Sequence, residues 1–374
     1  MRENEANHQT ANEAALLISC LRGEPFAVPH DLDWHVLLEL AEAHGVLFLL
    51  DQAFRERHIQ TLDFFAAAVQ KHLEVVARFA AELEELLQRF TKAGIEVIPL
   101  KGPVLAEALY GNVTMRSCDD LDLLVRREDF PRAGKLLCDL GFAARTAGDD
   151  YHRKFLRRGV LVELHYGVAS PRSFPFDLDG VWNRARSEQF RGQPMRVMSD
   201  SDLVLFLCLH GLKHGFSRLI WISDLARALK SMRNDSAQEL ARHAKRLGLE
   251  QALLIGCQIV REVLPRQLPP EMEAVLAESP QAAERARHAV ERLFSEGTGA
   301  NNDPEIWGLY LQTEGSARQR WRRRFTFFVP TAGDYAWAER HRIYRGLMPA
   351  IRPFRLLHKY GASRAWRILF PPPV

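Results

Sequence analysis

The hydrophobic period of this sequence changes near residue 95 and changes back near residue 199. Upstream, Asn12 to Leu21, Leu32 to His44 and Phe64 to Lys92 repeat apolar residues at three- and four-residue intervals, the spacing of one helix face. Asp31 or Asp33 is placed to cap the second of these helices, and Gly94 stops the third. Then the pattern shortens. Ile95-Glu-Val-Ile-Pro-Leu100 is β-branched and predicts a strand; Val104 to Tyr110 predicts a short helix closed by Gly111. Asp120 to Arg126 is a second strand, and Glu128 to Leu140 a helix stopped by Gly141. Tyr151 to Arg157 and Val160 to Tyr166 predict a hairpin turned at Arg158-Gly159.

Such an island of strands and helices inside a helical chain predicts an α+β fold, a small mixed-sheet core flanked by N-terminal and C-terminal helical regions. Residues 1–10 are polar and read as a disordered N-terminus, 11–93 as the N-terminal helical region and 94–198 as the core. Within the core, Pro171 to Pro194 reads as irregular, with one short helix around Val181. Residues 199–316 form a helical domain, entered through the cap-rich Ser199-Asp-Ser-Asp202, with helices at Leu203–His214, Ser217–Met232, Ala237–Leu247, Glu250–Leu264 and Met272–Phe294. Residues 317–374 form a basic, aromatic C-terminal segment.

Composition narrows the setting. The longest apolar runs, such as Leu203 to Leu209, are far too short to span a bilayer, and no basic-then-apolar leader is visible. Cysteines 20, 118, 138, 208 and 257 are odd in number and never form a CxxC pair, which disfavours a disulfide framework or a thiolate zinc site. A reducing cytoplasm is the expected location. The net charge is +3, but from Arg318 to Arg367 thirteen Lys or Arg stand against Asp334 and Glu339. The tail is therefore strongly basic and the body acidic.

The chemistry is concentrated at Asp120-Leu-Asp122. Alternate residues of a strand share a face, so the two carboxylates point together while Leu121 and Leu123 enter the core. Carboxylates this close repel, and a divalent cation with oxygen preference removes the penalty. Glu163, between Val162 and Leu164 on a neighbouring strand, supplies a third acid in form. A DxD pair is also a common solvated strand end, so its weight depends on context. Lys101-Gly102 ends the preceding strand before a helix, and exposed backbone N–H groups there suit a triphosphate.

Leu100-Lys-Gly102, Tyr110-Gly111, Arg116, Asp120-Leu-Asp-Leu-Leu-Val125 and Val162-Glu-Leu-His165 together resemble the DNA polymerase β nucleotidyltransferase superfamily, and within it a bacterial family described only as nucleotidyltransferase. Ala41 to Val46 and His210-Gly-Leu-Lys-His214 with Trp221 to Ala226 extend the resemblance over about residues 10 to 360. The resemblance implies that Asp120, Asp122 and Glu163 hold Mg²⁺ or Mn²⁺. It further implies transfer of a nucleoside monophosphate from an NTP to a hydroxyl of an unknown small-molecule or protein acceptor, with release of pyrophosphate. Lys101, Gly102 and Arg116 fall where the triphosphate is neutralised, and the helix bearing Lys213 and His214 is implied to line the nucleotide cleft. Lys101 reads equally as a solvated lysine, and Arg116 as a partner of Asp119. Two departures stand out: Gly102-Pro103 replaces the usual Gly-Ser, and the interval to Asp120 is longer.

Other readings stay open. His210 and His214, four apart on one helix face, could join Asp224 as metal ligands of a hydrolase, although no adjacent His-Asp pair supports it. His165 shares a strand face with Glu163 and is placed to support a metal; His152 is a weaker candidate. The basic tail, with Arg320-Trp-Arg-Arg-Arg-Phe-Thr-Phe-Phe328, suits nucleic-acid phosphates or an anionic membrane surface, or alternatively neutralises the acidic body of its own chain. The competing functions are a nucleotidyltransferase-fold binding or assembly protein without turnover, and an RNA-modifying nucleotidyltransferase.

Overall fold

The structure is a computed structural model that describes residues 2–145, 151–168, 176–232, 237–265, 268–276, 280–294, 329–330 and 332–360. Helices α1 (Arg2–Arg22), α2 (Trp34–Ala43), α3 (Leu47–Glu56) and α4 (Asp63–Lys92) precede the sheet. Asp33 caps α2, its side chain accepting from the backbone N–H groups of His35 and Val36. Helix α1 includes residues that the sequence predicted as disordered. The helix buries Leu16 and Leu17 and continues back through the Glu, Asn, Ala and Gln residues that precede them.

Five strands, β1 (Val97–Pro99), β2 (Leu121–Val125), β3 (Ala143–Arg145), β4 (His152–Arg157) and β5 (Val160–His165), form a mixed sheet in the order β1-β2-β5-β4-β3. Only β2 and β5 run parallel; the other pairs are antiparallel. Helix α5 (Pro103–Tyr110) connects β1 to β2, and α6 (Phe130–Asp139) follows β2. Arg158 and Gly159 turn the β4–β5 hairpin with φ of 48° and 79°. Two consecutive positive φ values match a type I′ turn, whose twist suits a two-residue hairpin.

The period-2 pattern of β2 divides it between two cores. Leu121, Leu123 and Val125 pack with Val162, Leu164, the α4 residues Phe79, Leu83, Leu86, Leu87 and Phe90, and Ala133 and Leu137 of α6. Each fully buried Leu or Phe here contributes roughly 1.5–3 kcal/mol. Leu124, on the opposite face with Asp122, joins a second core dominated by the C-terminal helices. The acids therefore lie on the sheet face turned toward those helices.

After α7 (Leu178–Arg184) the sequence predicted irregular chain, yet β6 (Arg186–Phe190) and β7 (Gln193–Val197) form a second hairpin. Arg191 and Gly192 turn it with φ of 48° and 78°, repeating the Arg158-Gly159 solution. Helices α8 (Asp200–Lys213), α9 (Leu219–Ser231), α10 (Ala237–Leu247), α11 (Glu250–Val263), α12 (Pro270–Leu276) and α13 (Pro280–Glu291) follow. Ser199 caps α8, as its position predicts, accepting from the Asp202 N–H. In the tail, α14 (Ala332–Arg340) and α15 (Met348–Tyr360) are joined by Arg352 and Arg355, both paired with buried Asp334. Those two arginines neutralise an acid of their own chain; Arg320 to Phe328 lies outside the described residues.

His44 ties α2 to α9. Its Nδ1 accepts from the Leu219 N–H at 3.3 Å and its carbonyl from the Ile220 N–H at 3.1 Å. Burial, and then the charge of Arg218, push its pKa down to about 4. The unfolded chain, with an ordinary histidine near 6.5, binds more protons between those values, so stability falls as pH drops from about 6.5 to about 4. Urea unfolding at pH 7 and pH 4.5 should show a loss on the order of 2–3 kcal/mol from this group, and His44→Asn should remove that part of the slope.

Candidate active site

Local sequence places each acid. In the parallel β2–β5 pairing Asp122 lies opposite Glu163, and in the β4–β5 hairpin Glu163 lies opposite Lys154 and His165 opposite His152. Paired residues share a face, so five polar side chains converge over one end of the sheet. The Leu100 N–H donates to the Asp122 carbonyl at 2.9 Å, which sets the next residue, Lys101, beside the Asp122 side chain.

The distances are short. Lys101 Nζ is 2.7 Å from Asp122 Oδ2, and His165 Nε2 is 2.9 Å from Asp122 Oδ1. Lys154 Nζ is 2.5 Å from Glu163 Oε1, while His152 Nε2 and His165 Nε2 each lie 3.6 Å from Glu163 Oε2. Ligand atoms of Asp122, Glu163 and His165 all lie within 4.8 Å of one another. Asp120 stands just before β2, outside that set but within its electrostatic reach.

The charges show crowding. Burial, and then the Asp122 carboxylate, push Asp120 up to about 6. Burial also opposes ionisation of Asp122, but the Lys101 ammonium and the His165 hydrogen bond outweigh it and hold the carboxyl far below the usual range. At Glu163 burial is again outweighed, by His165 and Lys154, and the pKa falls to about 2. Burial works against the charge of Lys101 and of His165; the facing carboxylates win in both cases and raise their pKa values. The cluster thus gathers three acids whose mutual repulsion is relieved by cations.

The turn from β1 into α5 adjoins it. Gly102 takes φ of 73° as it enters α5, and Pro103 fills the first helical position. A β-carbon at Gly102 would lie 3.4 Å from Cys118 Sγ and 3.7 Å from Leu121, so the left-handed φ, more than space, requires glycine. Helix α8 ends nearby: the charges of Lys101 and Asp122 act on His210, whose pKa burial and then Lys101 hold well below the usual range. Lys213 Nζ donates to the Tyr151 hydroxyl at 2.8 Å, and the His214 ring lies against His210 and Trp221 with centroids at 4.8 and 5.2 Å.

Arg116 pairs with Asp224 and not with Asp119. Its Nε donates to Asp224 Oδ2 at 2.9 Å, and the Tyr110 hydroxyl donates to Asp224 Oδ1 at 2.8 Å. The partner of Asp119 is Arg218, at 3.0 Å. Arg116 therefore joins the β1–β2 connection to α9. Asp224 is wholly buried beneath it; among the described residues the group of three ligand atoms within 4.8 Å of one another is Asp122, Glu163 and His165, and the hydrolase-like set of His210, His214 and Asp224 is not such a group. Sequence reasoning missed Lys154 and Tyr151, although counting outward from the Arg158-Gly159 turn places Lys154 opposite Glu163.

The mixed sheet, with an acid–histidine cluster on its parallel strand pair and helices behind it, is an α+β fold. The chain belongs to the family described as uncharacterised nucleotidyltransferases, whose sequence profile matches residues 30–265. No curated protein matches it. Among solved structures it is similar to the solution structure of the antibiotic-resistance factor ANT(2'')-Ia, with 14% identity, 57% of this chain and 95% of that chain covered, and a TM-score of 0.31. So loose a superposition carries no argument about this chain. No helix among the described residues is long and apolar enough to cross a membrane.

Proposed function

We propose that the protein transfers a nucleoside monophosphate from an NTP to a hydroxyl of an acceptor, using a divalent cation held by Asp122 and Glu163 with Asp120 beside them. The observation that carries this reading is the register that sets Asp122 opposite Glu163 on adjacent parallel strands. The donor set suits a cation, because Asp122 and Glu163 offer carboxylate oxygens and His165 a ring nitrogen within 4.8 Å of one another. When bound, such a cation would neutralise phosphate oxygens and favour the ionised acceptor hydroxyl.

The chain's own groups supply the rest. Gly102 and the first turn of α5 offer backbone N–H groups to phosphate oxygens, and Lys101 adds charge beside them. Lys213 and His214 stand on the helix end that faces the cluster. The acceptor oxygen bonds to the α-phosphorus and the bond to the β-phosphate oxygen breaks. Pyrophosphate leaves with the electron pair, and the hydroxyl proton passes to solvent or a carboxylate.

One observation favours the binding-protein alternative. Lys101 and Lys154 already pair with Asp122 and Glu163, so these two carboxylates are compensated without a metal. Calorimetric titration with each of the four NTPs, in Mg²⁺ or Mn²⁺ and again in EDTA, separates the two. Saturable binding that requires the cation is expected; binding unaffected by chelation, or none, would overturn the cation-dependent reading.

A further inference from the structure

The donor atoms at this site are not all oxygen. His165 is more than nine-tenths buried, and its ring stacks on His152 with centroids 5.0 Å apart and planes 19° from parallel. That stack and the β5 backbone aim Nε2 between the two acids, 2.9 Å from Asp122 Oδ1 and 3.6 Å from Glu163 Oε2. Nδ1 is buried with no hydrogen-bond partner among the described residues, so the stack on His152, and not a hydrogen bond at Nδ1, holds the far side of the ring. Asp120, the expected second aspartate of the metal pair, lies outside the group whose ligand atoms fall within 4.8 Å of one another.

We propose that His165 Nε2 is itself a ligand of the cation, completing a set of one nitrogen and two carboxylates with Asp122 and Glu163, and that the site consequently prefers a divalent transition ion of the Mn²⁺ type to Mg²⁺. The inference rests on the cation-dependent reading above and specifies its ion. A plain alternative makes His165 a third positive partner for the acids. Lys101 and Lys154 each already face one of the two carboxylates, so an imidazolium between them duplicates a charge that is present. A cation arriving at Nε2 takes the place of the proton shared with Asp122, and that proton is released to solvent, as happens when metals bind protonated ligands. Mg²⁺ keeps oxygen ligands and sheds water reluctantly, whereas imidazole strengthens binding of first-row transition ions.

The test uses the full-length protein and manganese chloride alone. The free Mn²⁺ resonance gives the dissociation constant, and electron spin echo envelope modulation of the bound ion reports nitrogen ligands. The expected result is a ¹⁴N modulation that converts to a ¹⁵N pattern when histidine is ¹⁵N-labelled. Mg²⁺, added as a competitor, should bind more weakly than Mn²⁺. His165→Gln should remove the modulation and weaken Mn²⁺ about tenfold or more, with a smaller effect on Mg²⁺. Bound Mn²⁺ without nitrogen modulation, modulation that survives His165→Gln, or Mg²⁺ binding as tightly as Mn²⁺ would overturn the inference while leaving the cation-dependent reading in place. Absence of Mn²⁺ binding by the unmutated protein, with or without NTP, would overturn both. Should His165→Gln fail to fold, the labelled unmutated protein still decides whether a histidine nitrogen is bound.

Discussion

Asp122→Asn is expected to lower nucleotidyl transfer by at least about 10³-fold, because a metal-holding carboxylate contributes several kcal/mol of charge stabilisation and each ~1.4 kcal/mol is tenfold in rate. The substitution keeps the shape of the side chain and removes its charge. Asp122 is the residue on which the site turns: it touches both Lys101 and His165, and it lies in register with Glu163. Loss of one member of a buried pair typically costs about 3–5 kcal/mol. Here Lys101 is 15% exposed and keeps Asp120 as a second carboxylate within electrostatic reach, so the loss should fall at or below the lower end of that range. Circular dichroism and urea unfolding should therefore find a folded variant. Retention of more than about a tenth of the activity would contradict a cation held at Asp122.

The second large effect is on stability. Arg116→Ala should destabilise the protein by about 3–5 kcal/mol, because it strands the Asp224 carboxylate where no water reaches it. The pair spans 108 residues and pins the β1–β2 connection against α9, so its loss also loosens the wall that carries Gly102 and Asp120. Tyr110→Phe removes only a neutral donor to the same carboxylate and should cost about 1 kcal/mol. Arg116→Met combined with Asp224→Leu should recover more than half of the loss, since neither charge is then left unpaired. Strictly additive losses in the double variant, measured by chemical denaturation, would show that the two residues act independently.

What the sequence made legible follows the range of the interactions involved. The hairpin at residues 151–166 was readable because its turn and its alternation are local; the turn even fixes Lys154 opposite Glu163. Asp122 and Glu163 were readable as acids within apolar strands, but their pairing depends on the parallel register of β2 and β5, which no local pattern specifies. The hairpin β6–β7 was missed because its strands carry many polar residues, with only Phe190 and Met195 buried; Arg191-Gly192 was the available signal. Arg116 was misplaced for the same reason of range. A buried arginine chooses its partner from the whole fold, and Asp119, three residues away, is itself taken by Arg218. Lys101 was readable as a residue of the site, but not as an ion-pair partner of Asp122, which requires the Leu100–Asp122 backbone hydrogen bond.

Under the proposed function, the cluster of Asp122 and Glu163 directs attack at the α-phosphate of an NTP. The most direct measurement incubates the protein with a cell extract, Mg²⁺ or Mn²⁺ and each NTP, labelled in parallel at the α- and at the γ-phosphate. The α-label is expected to become attached to an acceptor, the γ-label to appear only in pyrophosphate, and both products to disappear in Asp122→Asn. Transfer of γ-label to the acceptor, or α-label transfer that persists in Asp122→Asn, would contradict it.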